Sequence, residues 1–291
     1  MVKKYADLYM EAHRALLMTE DQQTANLYAR NLLCKASNLP YEKLLADRDL
    51  YASEDTCNAM EEYVKRVLRG EPIAYVLGEW DFYGMTLKVD PNVLIPRDDT
   101  CAVTTLAINQ GLFLDSEPRI LDLCTGSGCI GIAIATRISD ARVTLADVSR
   151  DALQVAKQNI KEQKLGGRIS CVCVDAMELA PAFLGKFDMI VSNPPYITTR
   201  EMEELDASVK DYEPHLALHG GDDGLDFYRA IAQNYREALK PNGYLCFEFG
   251  MGQGDAVCAI LEENQYKILD RVQDYNNVER AVLAQLCRKE D

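Results

Sequence analysis

The stretch FDMIVSNPPYI at 187–197 places an amide, two prolines and an aromatic ring directly after an apolar run. The run reads as a buried strand, short and bounded by turn residues. Pro194 and Pro195 have no N–H to give a sheet ladder, so the strand must end there. Each proline also pushes the residue before it into an extended conformation. Asn193 is thereby fixed at a strand tip, with Tyr196 beyond a stiff turn. This arrangement suits chemistry on a planar NH2 group, a poor nucleophile because its lone pair is delocalised. The side-chain oxygen of Asn193 can accept one N–H and the carbonyl of Pro194 the other. The remaining face of the nitrogen is then aimed at an incoming electrophile. Tyr196 can stack on a flat substrate. The catalytic contribution would be orientation and electrostatics, and the prolines hold the carbonyl direction at little entropic cost.

Upstream, RILDLCTGSGCIGIAIA reads as strand, tight turn and helix. Gly126, Gly128 and Gly131 match G-x-G-x-x-G, and Asp147 follows about 20 residues later at the end of the next strand. Alone, that fingerprint does not select a dinucleotide. Any nucleoside-binding α/β fold needs close backbone approach at the first strand tip and a carboxylate for ribose hydroxyls. Two features favour S-adenosylmethionine. Asp122 lies within the end of the first strand, ahead of the glycines, and a carboxylate there suits an ammonium and a sulfonium better than a pyrophosphate. The Asn-Pro-Pro-Tyr turn, moreover, has no role in hydride transfer.

The composition excludes several classes. The net charge of −15 is the reverse of the basic excess that supplies most duplex affinity, so no stable nucleic-acid binding is expected. No apolar run approaches the roughly 18 residues of a membrane span. The charged, amphipathic N-terminus has no signal-peptide core, which points to a cytoplasmic protein. Ten cysteines include no C-x-x-C pair, and several sit in apolar runs, as buried reduced thiols do. His13, His215 and His219 lack ligand spacing, so no metal is assigned.

Three regions are expected to position these residues. Residues 1–72 carry helical apolar periodicity, with Asp21 and Ser53 as N-caps and Gly70 and Pro72 as terminators. They predict a small N-terminal helical bundle, given the role of substrate recognition. Residues 73–96, with apolar alternation, Gly78, Gly84 and an Asp90-Pro91-Asn92 turn, predict a β-hairpin linker. Residues 97–291 alternate strands and helices, predicting an α/β domain on a mostly parallel sheet. Strands are expected at 119–123, 142–146, 169–174, 187–191, 243–249, 266–271 and 281–285. Helices are expected near 99–110, 129–138, 150–163, 223–239 and 253–263.

The segments LDLCTGSG, ADVSRDAL, VDAM and FDMIVSNPPYI occur in the order seen in class I amino-methyltransferases. With GEPIAYVLGEWDFYG, VLIPRDDT, VKDYEPHLALHGGDDGLDFYR and LKPNGYLCFEFGMGQ, the chain resembles the PrmC/HemK family of peptide chain release factor N5-glutamine methyltransferases over roughly 70–291. The resemblance implies a class I, Rossmann-like fold with a seven-stranded, mostly parallel sheet. It implies methyl transfer from S-adenosylmethionine to the glutamine of a Gly-Gly-Gln motif in release factors. On this alignment Cys124, Thr125, Gly126, Ser127 and Gly128 form the cofactor loop, Asp147 with Val148 the ribose site, and Asp175 with Ala176 the adenine edge. Asn193, Pro194, Pro195 and Tyr196 form the substrate clamp. The sequence departs from the family pattern in three places: Cys124 stands for a glycine, Asp98 for a proline and Cys101 for a glutamate. Asp222 and Asp223 read as helix N-terminal carboxylates. His215 reads as a loop residue and Arg97 as either an internal ion pair or a lid residue. Two other functions fit the motifs. One is an N6-adenine methyltransferase, since the clamp also suits a flipped adenine. The other is a non-catalytic S-adenosylmethionine-binding scaffold.

Overall fold

A computed structural model describes residues 2–287. The chain forms two compact units: residues up to Glu79 together with Ala207–Tyr212, and Trp80–Asp206 with the residues from Glu213 onward.

The first unit is helical. Helices α1 (Tyr5–Leu16), α2 (Gln22–Ser37) and α4 (Glu54–Leu68) pack on one another, and the short α3 (Tyr41–Ala46) lies against α2. Their apolar stripes meet inside, through Leu8, Ala12 and Leu16, Ala25, Ala29 and Leu32, and Met60 and Val67. Asp21 caps α2 by accepting from the backbone N–H groups of Gln23 and Thr24 at 2.7 and 3.0 Å. Ser53 caps α4 by accepting from Thr56 N–H at 3.1 Å. Both caps satisfy donors that a helix start leaves open.

Of the 73–96 segment expected as a β-hairpin linker, only part is hairpin. Ile73–Leu77 is a short helix, α5, closed by Gly78 at φ 70° and packed on α2 and α4. Pro72 starts it, and Ile73, Ala74, Tyr75 and Val76 are all buried. The apolar run is therefore a buried helical turn, which four consecutive apolar residues cannot be distinguished from by alternation alone. The hairpin is only β1 (Glu79–Phe82) and β2 (Met85–Lys88), joined through Tyr83 and Gly84, both at positive φ. That is the turn geometry matching strand twist. The hairpin belongs to the second unit, where Phe82, Met85 and Leu87 enter its core.

In that unit, α6 (Thr100–Gly111) precedes β3 (Arg119–Leu123), α7 (Cys129–Arg137), β4 (Arg142–Asp147), α8 (Arg150–Glu162), β5 (Ile169–Cys173) and β6 (Phe187–Ser192). After the short helices α9 (Glu201–Glu204) and α10 (Ala207–Lys210), the latter in the first unit, come α11 (Asp226–Asn234), β7 (Leu239–Glu248), α12 (Gly254–Glu263), β8 (Tyr266–Gln273) and β9 (Glu279–Leu286). The sheet order is β5-β4-β3-β6-β7-β9-β8. The pairs from β5 through β7 are parallel, and β9 runs antiparallel to both its neighbours. All seven predicted strands are present. Ile120, Val143 and Met189 join the core on one face with α7 and α8, while Leu121, Ile190 and Phe247 join the core on the other with α11 and α12. Burial on both faces explains why these strands read as unbroken apolar runs. No described helix is long and apolar enough to cross a membrane.

The chain winds outward from β3 through β5 and then returns to place β6 on the other side of β3. This is a topological switch point, where the carboxyl ends of the strands open a crevice. The helix α7 sits close on the sheet because Gly131 has no side chain. A Cβ there would collide with Leu145 and lie 2.9 Å from an Asp122 carboxylate oxygen. Gly131→Ala should therefore lower stability by about 1–3 kcal/mol of overpacking, outweighing the roughly 1 kcal/mol that alanine gains in helix propensity. Urea unfolding should show a lower midpoint at an unchanged slope.

Candidate active site

β3 and β6 are direct neighbours with Leu123 opposite Ser192. The Ser192 hydroxyl donates to the Leu123 carbonyl at 2.6 Å, tying the two strand tips together just before each chain turns away. The glycine loop leaves one tip and the Asn-Pro-Pro-Tyr turn leaves the other. Between and above them lies a cavity of about 240 Å³.

The loop reverses direction through Cys124, Gly126 and Gly128, at φ 61°, 54° and 83°. Positive φ is unusual for cysteine, so Cys124 holds a conformation that glycine would adopt freely. Burial pushes the Cys124 thiol far above its ordinary value, which keeps it neutral and unreactive. Asp147, at the tip of β4, accepts from Gly126 N–H and Ser149 N–H, each at 2.9 Å. It thus braces the loop while each carboxylate oxygen keeps a second lone pair. Ser127 lines the cavity, and its hydroxyl oxygen is buried and without a partner. Asn159 of α8 bonds the Ser127 carbonyl at 2.9 Å and both backbone groups of Lys88, fixing the loop to the hairpin.

The cavity wall gathers Cys124, Thr125, Gly126, Ser127, Asp147, Val148, Asp175, Ala176, Asn193 and Pro195 among the residues predicted from sequence. Gly128, Pro194 and Tyr196 do not form part of that wall. Gly128 instead packs α7, since a Cβ there would lie 2.9 Å from Leu145. Asp122 also falls away from its predicted place. It is fully buried beneath the loop, where its Oδ2 accepts from the Thr125 hydroxyl at 2.6 Å and Gly131 N–H at 2.8 Å. It therefore organises the turn from behind. The stiffness expected of the clamp has visible supports. Gln253 donates to the Tyr196 carbonyl at 3.0 Å, and Gly220 and Gly224 let neighbouring backbone lie against that of Tyr196. Burial pushes the Tyr196 phenol up to about 12, so it stays neutral.

The opposite wall comes from Asn92, Val93, Leu94 and Pro96 and from Pro214, Leu216 and Ala217. Arg97 resolves as an internal ion pair: its guanidinium bonds the buried carboxylate of Glu213, whose other oxygen accepts from Ile95 N–H at 3.1 Å. His215 opens a short 3-10 turn beside the cavity. Asp223 precedes α11, accepts from Leu225 N–H and pairs with Arg229, while Asp222 accepts from the Thr199 hydroxyl.

One residue behind the site was not singled out from the sequence. Glu248 ends β7, 1 % exposed, and its visible signal is an acid inside the apolar run YLCFEFG. Burial pushes its carboxyl up to about 8. Burial likewise pushes Asp122 up to about 7.

Seven strands in this order, a glycine turn at the first tip and an amide at the fourth define a class I, Rossmann-like methyltransferase. A methyltransferase from Pyrococcus furiosus shares the fold at TM-score 0.50 and 16% identity, with 78% of this chain and 100% of that one covered. Family profiles match as well, "Methyltransferase small domain" over 102–216 and "PrmC N-terminal domain" over 8–78. The release factor glutamine methyltransferase of Geobacter sulfurreducens is 35% identical over 269 residues, 92% of each chain. That of Clostridium acetobutylicum is 36% identical over 241 residues, 83% of this chain and 84% of its own. The chain belongs to the release factor glutamine methyltransferase family. It spans about half the length of other relatives, the bifunctional methyltransferases of Rickettsia.

The two raised carboxyls fix a pH dependence of stability. Folding lifts Glu248 from 4.5 to about 8 and Asp122 from 3.8 to about 7. The folded state therefore holds protons that the unfolded chain releases near pH 4. Their contribution is fully present below pH 4 and is lost as pH rises through 7 to 8. Urea midpoints should fall from pH 5 to pH 8.5, and Glu248→Gln should flatten part of that slope.

Proposed function

We propose that this protein transfers a methyl group from S-adenosylmethionine to the side-chain amide nitrogen of the glutamine in the Gly-Gly-Gln motif of peptide chain release factors. The observation that carries the reading is the adjacency of the Leu123 and Ser192 tips. It sets a nucleoside-type loop and an amide acceptor on one cavity. The residues fit the methyl donor. Asp147 has lone pairs left for ribose hydroxyls, and Ser127 offers an unpartnered hydroxyl. Val148, Ala176 and Phe227 supply apolar wall for a base. The donor contributes a methyl carbon activated by a positively charged sulfur.

Asn193, on the cavity wall, accepts one amide N–H of the substrate through its side-chain oxygen, and the Pro194 carbonyl, at the next residue but outside that wall, is assigned the other. Both hydrogens are then held and the nitrogen's open face is directed along one line. When bound, the donor would supply its methyl group to the nitrogen so held, which would give up one proton to solvent. Tyr196 supports this turn through its backbone. Recognition of the protein substrate is assigned to the first unit. The protein works in the cytoplasm, without nucleic acid or membrane. An adenine substrate would use the same clamp, but the −15 charge gives it no electrostatic support.

Two variants test the assignment. Asp147→Ala should weaken S-adenosylmethionine binding by about 2–3 kcal/mol, through loss of charge-assisted bonds; calorimetry showing unchanged affinity would refute its role. Asn193→Ala should lower single-turnover methylation of release factor about 100-fold, roughly 3 kcal/mol for an orienting bond in a dry site. Asn193→Asp should also be poor. A carboxylate there stabilises the sulfonium before reaction, and that stabilisation fades as the charge is discharged. Mass spectrometry of release factor, DNA and tRNA incubated in parallel separates this function from adenine methylation, and methylation of none of them would support the scaffold.

A further inference from the structure

We propose that Gln253 is the positioning residue that holds the far end of the Asn-Pro-Pro-Tyr turn, an inference that rests on the reading of that turn as the substrate clamp. The near end is held by the sheet, because Asn193 follows Ser192, which pairs with β3 on one side and β7 on the other. Past Asn193 the chain leaves the sheet. A proline ring fixes φ and leaves ψ open. Pro195 restricts ψ of Pro194, since the residue before a proline is held extended. No proline follows Pro195, so rotation there is limited by whatever holds Tyr196. Ile197 bonds Leu218 and Gly220 at 2.9 and 2.8 Å, but those residues belong to a loop.

Gln253 refers the turn back to the sheet. Its Nε2 donates to the Tyr196 carbonyl at 3.0 Å and to the Gly224 carbonyl at 3.5 Å, and its Oε1 accepts from Gly250 N–H at 2.9 Å. These partners settle which way the amide faces. A backbone N–H can only donate and a carbonyl can only accept, so the flipped amide would set donor against donor and acceptor against acceptor. Gly250 lies two residues past Glu248, which ends β7, and β7 pairs with β6 through Phe247 and Ser192. Both ends of the turn are therefore tied to the same pair of strands. The surroundings are shaped to this contact. A Cβ on Gly250 would lie 2.9 Å from Gln253 Oε1 and 3.0 Å from the Tyr196 ring, and one on Gly220 would lie 2.7 Å from the Pro195 carbonyl oxygen. Gln253 stands at the N-cap of α12, yet its side chain caps no N–H of that helix. It also forms no part of the cavity wall, so it acts through the turn and not on the substrate.

The test compares Gln253→Met and Gln253→Glu in the full-length protein at pH 8, with Gln253→Leu as the second apolar variant if methionine does not fold. Single-turnover methylation of release factor and calorimetric affinity for S-adenosylmethionine are read together. The methionine variant fills similar space without either bond, and its rate should fall about 10-fold or more, as for a slightly misplaced reacting group. Its cofactor affinity should stay within about 3-fold of wild type, since the lost interaction bears on the reacting geometry and not on cofactor binding. Gln253→Glu keeps the acceptor for Gly250 N–H but sets a second acceptor against the Tyr196 carbonyl. It should be as slow as methionine or slower, despite its near-identical shape. In an Asn193→Ala background the methionine variant should cost nothing further, as expected of residues acting as one unit. Full rate in a folded apolar variant overturns the proposal. So does a glutamate variant near wild-type rate, a loss of cofactor affinity as large as the loss of rate, or an undiminished extra loss in the Asn193→Ala background. Should Asn193→Ala itself retain full rate, the clamp reading fails instead, and the two failures are told apart.

Discussion

The pairing of β3 with β6 is the constraint on which the site depends. Parallel strands cannot be joined by a tight turn, so their neighbours are set by crossovers and not by sequence adjacency. Here Leu123 and Ser192, 69 positions apart, share a register and a hydrogen bond of 2.6 Å. One residue later on each strand the chain leaves the sheet, as Cys124 and as Asn193. Nothing in either loop alone would bring the glycine turn to the amide. The sheet does, and its order also sets Asp147 and Asp175 at successive tips along the same edge.

Beneath that edge the protein accepts local instability. Asp122 and Glu248 are fully buried carboxyls, each with one unpartnered oxygen. Burial of this kind opposes folding, and a well-packed apolar residue would serve the core better. Both lie directly behind a turn that faces the cavity, one under the glycine loop and one behind the amide. Cys124 adds a residue held at φ 61°. Strain and buried ionisable groups of this sort concentrate at functional sites, and here they occur on the two strand tips that carry the motifs.

Most of the sheet was legible because strands buried on both faces are short apolar runs between turn signals, and the two loops carry glycines and prolines whose backbone demands are specific. The segment 73–77 was not, since its apolar residues fit a strand edge and a buried helical turn equally; only packing on α2 and α4 decides. Asp122 was read as a ligand because it precedes the glycines. Whether a strand-tip acid faces the ligand or the loop's own N–H groups depends on side-chain direction, which spacing does not give. Glu248 went unnoticed for the opposite reason. An acid in a buried strand is visible in the sequence, but the strand tip it sits beside, at Ser192, comes from a distant segment, and only strand order joins them.

The departures from the family pattern follow the same physics. Cys101 replaces an acid but packs against the core beside Tyr83 and forms no part of the cavity wall, where a thiol is better suited than a carboxylate. Asp98 replaces a proline at an exposed position, and its carbonyl accepts from Cys101 N–H at 3.0 Å at the start of α6. The charges that matter in this segment sit on either side. Asp99 pairs with Arg280 at 2.9 Å, and Arg97 pairs with Glu213. These two pairs hold the start of α6, and with it Thr100, against the sheet and against the wall at Pro214. Because the Thr100 hydroxyl accepts from the Asn193 amide at 3.3 Å, the segment contributes to the clamp through position, and its sequence can vary wherever that position is kept.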